Sequence, residues 1–151
     1  VRDCVAAGDP RGAARLLGRA FEIEGRVRPG ERRGRLLGFP TANIELGSYL
    51  LPALGVYTVA ARWNEGGVAC AASGVANLGL RPTVGGSVPR LEVHLFDFAG
   101  ELYGRMLSVA LIDFLRPERK FATIEALKIQ IAADAAAARL ALGLAREGQI
   151  P

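Results

Sequence analysis

The feature that most constrains the fold is a succession of strand-like segments with no helical segment between them. Apolar and charged residues alternate along 21–28, and β-branched and aromatic residues dominate 55–63. The further predicted strands are 68–75, 91–98 and 105–115. Because parallel strands need long crossover connections, this pattern excludes a βαβ architecture. We predict an antiparallel sheet closed into a barrel, since closure removes exposed strand edges.

The chain before the first strand has a helical pattern. Two short helices are predicted at 1–7 and 10–17, with Asp9 as the N-cap of the second and Pro10 in its first turn. The absence of an initiating methionine suggests a fragment of a longer chain.

The chain after the last strand also has a helical pattern. One long helix is predicted from 124 to 142, capped by Thr123 and ended by Gly143. We expect Ile124, Leu127 and Ile131 to form its buried face.

Charge and cysteine content limit the function classes. The net charge of +4 and the isoelectric point near 9.6 favour anionic partners, but the basic residues are scattered and form no evident nucleic-acid stripe. Cys4 and Cys70 are far apart and predict free thiols in a reducing compartment. No apolar run reaches the length of a membrane span. We therefore expect a cytoplasmic protein.

A glycine-rich stretch, 34–44, suggests a nucleotide site. Thr41 and Asn43 would point the same way from an extended segment, next to the cation of Arg35. Two neutral oxygen ligands beside a basic loop suit Mg²⁺ that carries nucleotide phosphates. The stretch is not a Walker A loop, because no Gly-Lys-Ser/Thr follows at the required spacing. The alternative is a glycine-rich turn that enters a short strand. Residues 44–51 are predicted as a loop.

Glu92 is the candidate general base. The segment 91–97 has a period of two that would place Leu91, Val93 and Leu95 in the core and Glu92 with His94 on the opposite face. A carboxylate near a bound hydroxyl can accept its proton. The alternative is a solvated glutamate on an open sheet face. No role is assigned to His94.

Two further segments are candidates for the walls of a site. The charged run 116–121 would act as a flap, with Arg116 or Arg119 meeting an anion and Phe121 stacking on a flat ligand, or would be a solvated connection. The segment 77–86 is predicted as a loop whose Asn77 and Arg81 either complete a polar cleft or serve as turn residues.

These segments, in this order, resemble the riboflavin kinase family, and more narrowly the C-terminal kinase module of bacterial bifunctional riboflavin kinase/FAD synthetase. The resemblance covers about 21–142. Its motifs are Gly-Phe-Pro-Thr-Ala-Asn at 38–43, Gly-Val-Tyr at 55–57, Ala-Asn-Leu-Gly-Leu-Arg-Pro-Thr at 76–83, Leu-Glu-Val-His at 91–94, Leu-Tyr-Gly at 102–104 and Leu-Arg-Pro-Glu-Arg-Lys-Phe at 115–121. The resemblance implies a mainly-β fold, a six-stranded antiparallel Greek-key barrel with a long helix packed outside. It also implies transfer of the γ-phosphoryl group of ATP to the 5′-hydroxyl of riboflavin, with Mg²⁺, to give FMN.

The resemblance implies roles for matched positions. Thr41 and Asn43 would hold Mg²⁺ and the phosphates, Gly30 and Arg35 would cover the nucleotide, and Glu92 would accept the proton of the hydroxyl. The residues along the flavin would be Arg116, Arg119 and Phe121. Many relatives carry His-Gly where this chain has Pro29-Gly30, which puts a side-chain contribution at that position in doubt.

The resemblance also divides the chain. Residues 1–20 are similar to the segment that ends the adenylyltransferase half, which is otherwise missing, and 21–151 would be the kinase domain. We therefore expect FMN formation and not FAD formation, with no nucleic-acid or membrane partner. Two alternatives stay open. A flavin-binding barrel without catalysis would not need Glu92 and Thr41 together. A basic barrel for single-stranded nucleic acid would need more aromatic residues than Tyr57, Trp63 and Phe96.

Overall fold

A computed structural model of the chain describes residues 1–28, 41–47, 50–98 and 100–143. Within these ranges the chain forms six strands and three helices. The strands are β1 (Phe21–Arg26), β2 (Ala42–Glu45), β3 (Gly55–Glu65), β4 (Val68–Thr83), β5 (Gly86–Leu95) and β6 (Met106–Pro117). The helices are α1 (Arg2–Ala6), α2 (Pro10–Leu17) and α3 (Ile124–Ala141).

The six strands form one antiparallel sheet in the order β1-β6-β3-β4-β5-β2. Strands β3, β4 and β5 follow one another as neighbours, and β6 returns to lie beside β3, which is the Greek-key arrangement. The edge strands meet where the N–H of Arg28 donates to the carbonyl of Asn43 at 2.8 Å. The predicted mainly-β fold with outer helix is confirmed.

The core lies on the inner face of this curved sheet. Leu91, Val93 and Leu95 point into it, as the period of two predicts, and none is more than 5% exposed. Burial of each such side chain stabilises the fold by roughly 1.5–3 kcal/mol. At the meeting of β1 and β2 the packing requires glycine, because a Cβ on Gly25 would lie 2.3 Å from Cγ2 of Ile44. The absence of a side chain at Gly25 therefore lets the two edge strands approach closely.

One predicted loop is wrong, and a second is wrong only at its first two residues. Strand β2 occupies the start of the predicted loop 44–51, and β4 and β5 run through the predicted loop 77–86, so that the turn is confined to 84–85. The physical reason is pairing: every residue from Asn77 to Thr83 lies opposite a residue of β5. These ladder bonds outweigh the local turn preference of glycine and proline, and Pro82 is tolerated near the hairpin end.

The helix caps follow the sequence prediction, but the buried face of α3 differs in part. The side chain of Asp9 accepts from the N–H of Gly12 at 2.9 Å, and that of Thr123 accepts from the N–H of Ala126 at 3.1 Å. Ile124 is 57% exposed, so its assignment to the buried face is wrong. It borders an open cavity, and the residues that α3 buries are Asp134 and Ala138.

A second, smaller apolar cluster joins α3 to the outer face of the sheet. Val56, Val75 and Phe96 pack there against Ala138. The guanidinium of Arg139 lies 4.3 Å from the centroid of the Phe96 ring. Helix α3 therefore covers one part of the outer face and borders the part that carries polar residues.

Two further sequence predictions are tested by the described residues. Cys4 and Cys70 are both free thiols, as predicted. None of the helices in the described ranges has the length and apolar character needed to cross a membrane.

Candidate functional site

The outer face of the sheet carries one row of residues that crosses five strands. Asn43 of β2 lies opposite Glu92 of β5, and Glu92 lies opposite Asn77 of β4. The row continues through Val56 of β3 to Arg116 of β6. Directly opposed side chains in an antiparallel pair have Cβ atoms roughly 4.5–5.5 Å apart. Three polar side chains from three strands are thus brought side by side, although they are far apart in the sequence.

A cavity of about 610 Å³ lies over this row, between the sheet, the segment 116–123 and α3. Its volume is in the range of small-molecule sites. Six of the predicted site residues line it: Thr41, Asn43, Glu92, Arg116, Arg119 and Phe121. The other two, Gly30 and Arg35, and most of the glycine-rich stretch lie outside the described residues.

The cavity is electropositive. Its described lining includes the basic residues Arg81, Arg90, Arg116, Arg119 and Lys120, and the acidic residues Glu92, Glu118 and Asp134. The surplus of positive charge favours an anionic ligand such as a nucleotide. Arginine is also the side chain best suited to phosphate, because its planar fork can donate two parallel hydrogen bonds.

Thr41 and Asn43 line the cavity together, as the alternation of an extended segment predicts. Asn43 is 6% exposed, and Thr41 is half-buried. The described residues contain no group of three or more His, Cys, Asp or Glu side chains arranged to hold a metal ion. The oxygen atoms that could bind a metal ion here are the neutral side-chain oxygens of Thr41 and Asn43, next to one carboxylate, that of Glu92. This set fits Mg²⁺, which usually keeps few protein ligands and takes its remaining oxygens from water and substrate phosphates.

Glu92 is held by a neighbour that the sequence analysis missed. Nη2 of Arg90 donates to Oε1 of Glu92 at 2.6 Å, and the side chains of Arg90 and Glu92 are 11% and 36% exposed. A charge-assisted bond of this length fixes the carboxylate and occupies one of its oxygens. The signal was present in the sequence, since Arg90 and Glu92 are two apart on one strand and therefore share a face.

All three side-chain nitrogens of Arg116 donate hydrogen bonds to other protein atoms. Its Nε and Nη2 donate to the two carboxylate oxygens of Asp134 at 2.9 and 2.8 Å, and its Nη1 donates to the carbonyl of Pro117 at 3.1 Å. Gln130 also donates to Asp134, at 2.9 Å. The ion pair ties the end of β6 to α3. No strong sequence signal indicated Asp134, because it lies in an alanine-rich helix.

The segment after β6 folds down onto the sheet and presents an aromatic ring to the cavity. The guanidinium carbons of Arg119 and Arg116 lie 5.0 and 5.8 Å from the centroid of the Phe121 ring. The segment comes close because Gly79 has no side chain: a Cβ there would lie 2.1 Å from Oε1 of Glu118. The predicted flap therefore lies over the cavity.

The remaining candidates also lie at the cavity. Asn77 and Arg81 belong to β4 and not to a loop, and both line the polar part of the cavity. His94 lines it as well, with its ring 6.0 Å from that of Phe96. Fold and cavity together define a Greek-key β-barrel domain with a basic cavity of small-molecule size on its outer face.

Comparison with known proteins places this domain in a family. The family model for riboflavin kinase matches residues 17–142. The chain is 50% identical over 145 residues to the bifunctional riboflavin kinase/FMN adenylyltransferase of Pseudomonas fluorescens. This match covers 92% of this chain and 44% of that protein. The chain belongs to the riboflavin kinase family, and it spans less than half the length of this relative.

Two solved structures share the fold. One, described as a macrolide-efflux protein from Streptococcus pneumoniae, has a TM-score of 0.79 and 33% identity, and the match covers 88% of this chain and 43% of that one. The other, riboflavin kinase from Trypanosoma brucei, has a TM-score of 0.58 and 20% identity, and the match covers 81% of this chain and 79% of that one. At that identity the second likeness supports the fold alone.

Proposed function

We propose that this chain transfers the γ-phosphoryl group of ATP to the 5′-hydroxyl of riboflavin, with Mg²⁺, and releases FMN and ADP. The observation that carries the proposal is the register of β2 and β5, which sets Asn43 directly beside Glu92. Asn43, the proposed oxygen ligand for a phosphate-bound cation, and Glu92, the proposed base, both line this basic cavity, which supports the proposal. Membership of the riboflavin kinase family supplies the substrate class.

Glu92 is the proposed general base. Its Oε1 is held by Arg90, so Oε2 is the oxygen available to accept the proton of the riboflavin hydroxyl. The alcohol oxygen then bonds to the γ-phosphorus as the bond from that phosphorus to the β–γ bridging oxygen breaks, and ADP leaves. Phosphoryl transfer depends mainly on positioning and charge stabilisation, which a rigid strand residue can provide.

Thr41 and Asn43 are the proposed residues for the metal and the nucleotide phosphates. Mg²⁺ bound there would neutralise phosphate charge that develops during transfer. Asn43 is suited to this role because the sheet buries it and fixes its direction. Gly30 and Arg35 remain predicted to cover the nucleotide.

The proposed flavin side of the cavity is the segment 116–121. Phe121 offers a flat apolar face, and the adjacent Arg119 offers a cation for the polar edge of the ring system. Arg116 would act mainly by support, since its nitrogens are occupied by Asp134 and Pro117. We expect FMN and not FAD as the product.

The direct test is incubation of the chain with ATP, Mg²⁺ and riboflavin, with separation of FMN and ADP by chromatography. Glu92→Gln keeps an oxygen that can accept from Arg90 but removes the base, so we expect kcat to fall by roughly 10²- to 10⁴-fold. The matched control is Glu22→Gln, which alters a carboxylate of β1 that pairs with Arg62 outside the cavity. This control should keep full activity.

The outcomes separate the proposed function from its alternatives. A fully active Glu92→Gln enzyme would remove Glu92 from the role of base. Riboflavin binding without turnover by the unmodified chain would favour a flavin-binding barrel without catalysis. Turnover that persists after removal of divalent metal by a chelator would contradict the proposed Mg²⁺ requirement.

A further inference from the structure

Two buried polar atoms in the cavity have no hydrogen-bond partner among the described residues. They are the side-chain oxygen Oδ1 of Asn77 and the nitrogen Nη1 of Arg90. Buried polar atoms are nearly always paired in folded proteins, so each exception calls for a physical reason. Both residues line the cavity, whereas Thr58 and Trp63, whose side chains also carry such an atom, are not among its described lining residues.

The two atoms flank the same carboxylate. Asn77 lies directly opposite Glu92 in the register of β4 and β5. Arg90 binds Glu92 through its other terminal nitrogen at 2.6 Å. The residue opposite Arg90 in the ladder is Gly79, and the carboxylate of Glu118 lies over it at the edge of the same cavity. The unpaired acceptor and the unpaired donor therefore belong to one surface beside the proposed base.

The chemistry of this surface selects its ligand. An amide oxygen only accepts a hydrogen bond, and a guanidinium nitrogen only donates one. A hydroxyl group does both, so a hydroxyl can satisfy the two atoms together. A phosphate offers mainly acceptor oxygens and would bring negative charge against both Oδ1 of Asn77 and the carboxylate of Glu92. An ammonium group would be repelled by Arg90. The surface therefore fits a neutral hydroxyl.

We propose that Asn77 and Arg90 form a subsite for a second hydroxyl of the substrate, close to the hydroxyl that Glu92 deprotonates. The site would then distinguish a polyol chain from a chain that carries a single terminal alcohol. This inference rests on the proposed function, since it assumes that the alcohol is the ribityl chain of riboflavin. It assigns to the chain a contact that selects the substrate and is separate from the proton transfer.

The test compares riboflavin with a flavin analogue that carries a 5-hydroxypentyl chain at the same ring nitrogen. The analogue keeps the ring and the terminal alcohol and lacks the other hydroxyls. We expect the unmodified chain to favour riboflavin by roughly 10- to 100-fold, both in Kd measured by flavin fluorescence and in kcat/KM, because the analogue leaves two buried atoms unpaired.

The variants are Asn77→Leu, which removes the acceptor, and Arg90→Met, which removes the donor. In each variant we expect the preference for riboflavin to fall below about threefold, because the second hydroxyl then forms one hydrogen bond fewer with the protein. Any effect of Arg90→Met on Glu92 acts on both substrates and cancels in their ratio. Arg90→Gln, which keeps one donor to Glu92, is the second variant if Arg90→Met does not fold. The matched control is Arg62→Met, which breaks an ion pair outside the cavity and should keep the full preference.

Each outcome supports or overturns the subsite. Equal affinity of the unmodified chain for the two flavins overturns it, as does full preference in the Asn77 and Arg90 variants. Tighter binding of riboflavin that is lost in those variants, without turnover of either flavin, supports the subsite and refutes the proposed phosphoryl transfer. Binding of neither flavin overturns both.

Discussion

The ion pair between Arg116 and Asp134 should be the polar contact on which α3 and the cavity depend most. Asp134 is 6% exposed and receives hydrogen bonds from Nε and Nη2 of Arg116 and from Gln130. The substitution Asp134→Ala removes the acceptor for all three. It leaves Arg116, whose side chain is 20% exposed, as a poorly hydrated cation without a counter-charge.

The expected cost follows from this burial. Removal of one partner of a buried ion pair destabilises a protein by about 3–5 kcal/mol, because the other charge stays buried and unpaired. Arg116 keeps some access to water, so we expect the lower end, about 3 kcal/mol. For a chain of this length, each kcal/mol corresponds to roughly 2–4 °C in Tm. Asp134→Ala should therefore lower Tm by roughly 6–12 °C.

The comparison is with an ion pair of similar length and greater exposure. Arg62 and Glu22 are 2.8 Å apart, with side chains 64% and 29% exposed. Exposed pairs contribute about 0–1 kcal/mol, so Glu22→Ala should lower Tm by less than about 4 °C. Replacement of both buried partners, Arg116→Met with Asp134→Leu, should recover much of the loss, because no buried charge remains unpaired.

The assay is thermal unfolding followed by circular dichroism, with riboflavin binding by fluorescence on the same samples. Asp134→Ala should also weaken flavin binding, since Arg116 lies beside Phe121 at the cavity. A Tm for Asp134→Ala within about 2 °C of that for Glu22→Ala would refute the reasoning, because it would mean that the buried pair is worth no more than an exposed one.

Two further predictions follow from single contacts. Gly79→Ala should displace the carboxylate of Glu118, because the added Cβ would lie 2.1 Å from it, and should therefore lower kcat/KM for riboflavin several-fold. The control Gly86→Ala, in open space, should leave kcat/KM unchanged, and both variants should keep their stability or gain about 0.4–1 kcal/mol. Equal kinetics for the two variants would contradict the contact with Glu118. Burial raises the pKa of Tyr57 to about 12 from 10.0, so its contribution to stability is complete below pH 10 and is lost as the pH rises through about 12. Urea unfolding between these pH values should show a loss of up to roughly 2–3 kcal/mol that is absent in Tyr57→Phe, and identical losses in the two proteins would argue against the shift.

Local sequence signals predicted most of the elements. The caps at Asp9 and Thr123 and the alternation around Glu92 were found because each depends on neighbours within four residues. The strand at 77–83 was missed, because its local composition favours turns and only its long-range pairing with β5 stabilises the extended form. The exposure of Ile124 was missed for a related reason, since periodicity shows a helix face but not how far the partner surface extends.

The candidate site divides in the same way. Thr41, Asn43, Glu92, Arg116, Arg119 and Phe121 were named from motifs, and the structure places all of them at one cavity. The partners that hold or complete these residues, Arg90 and Asp134, had no motif of their own. Their importance depends on burial and on contacts across 2 to 18 residues.

By itself, the sequence determined the class of fold and the face of β5 that carries Glu92, and it named the candidate phosphate and base residues, because periodicity and residue chemistry are local properties. Only the tertiary structure decided which residues meet. The register of β2, β5 and β4 sets Asn43, Glu92 and Asn77 in one row, and a shift of one residue would turn each strand's side chains to the other face. Register depends on the hydrogen bonds and packing of the whole sheet, which no single stretch of sequence contains.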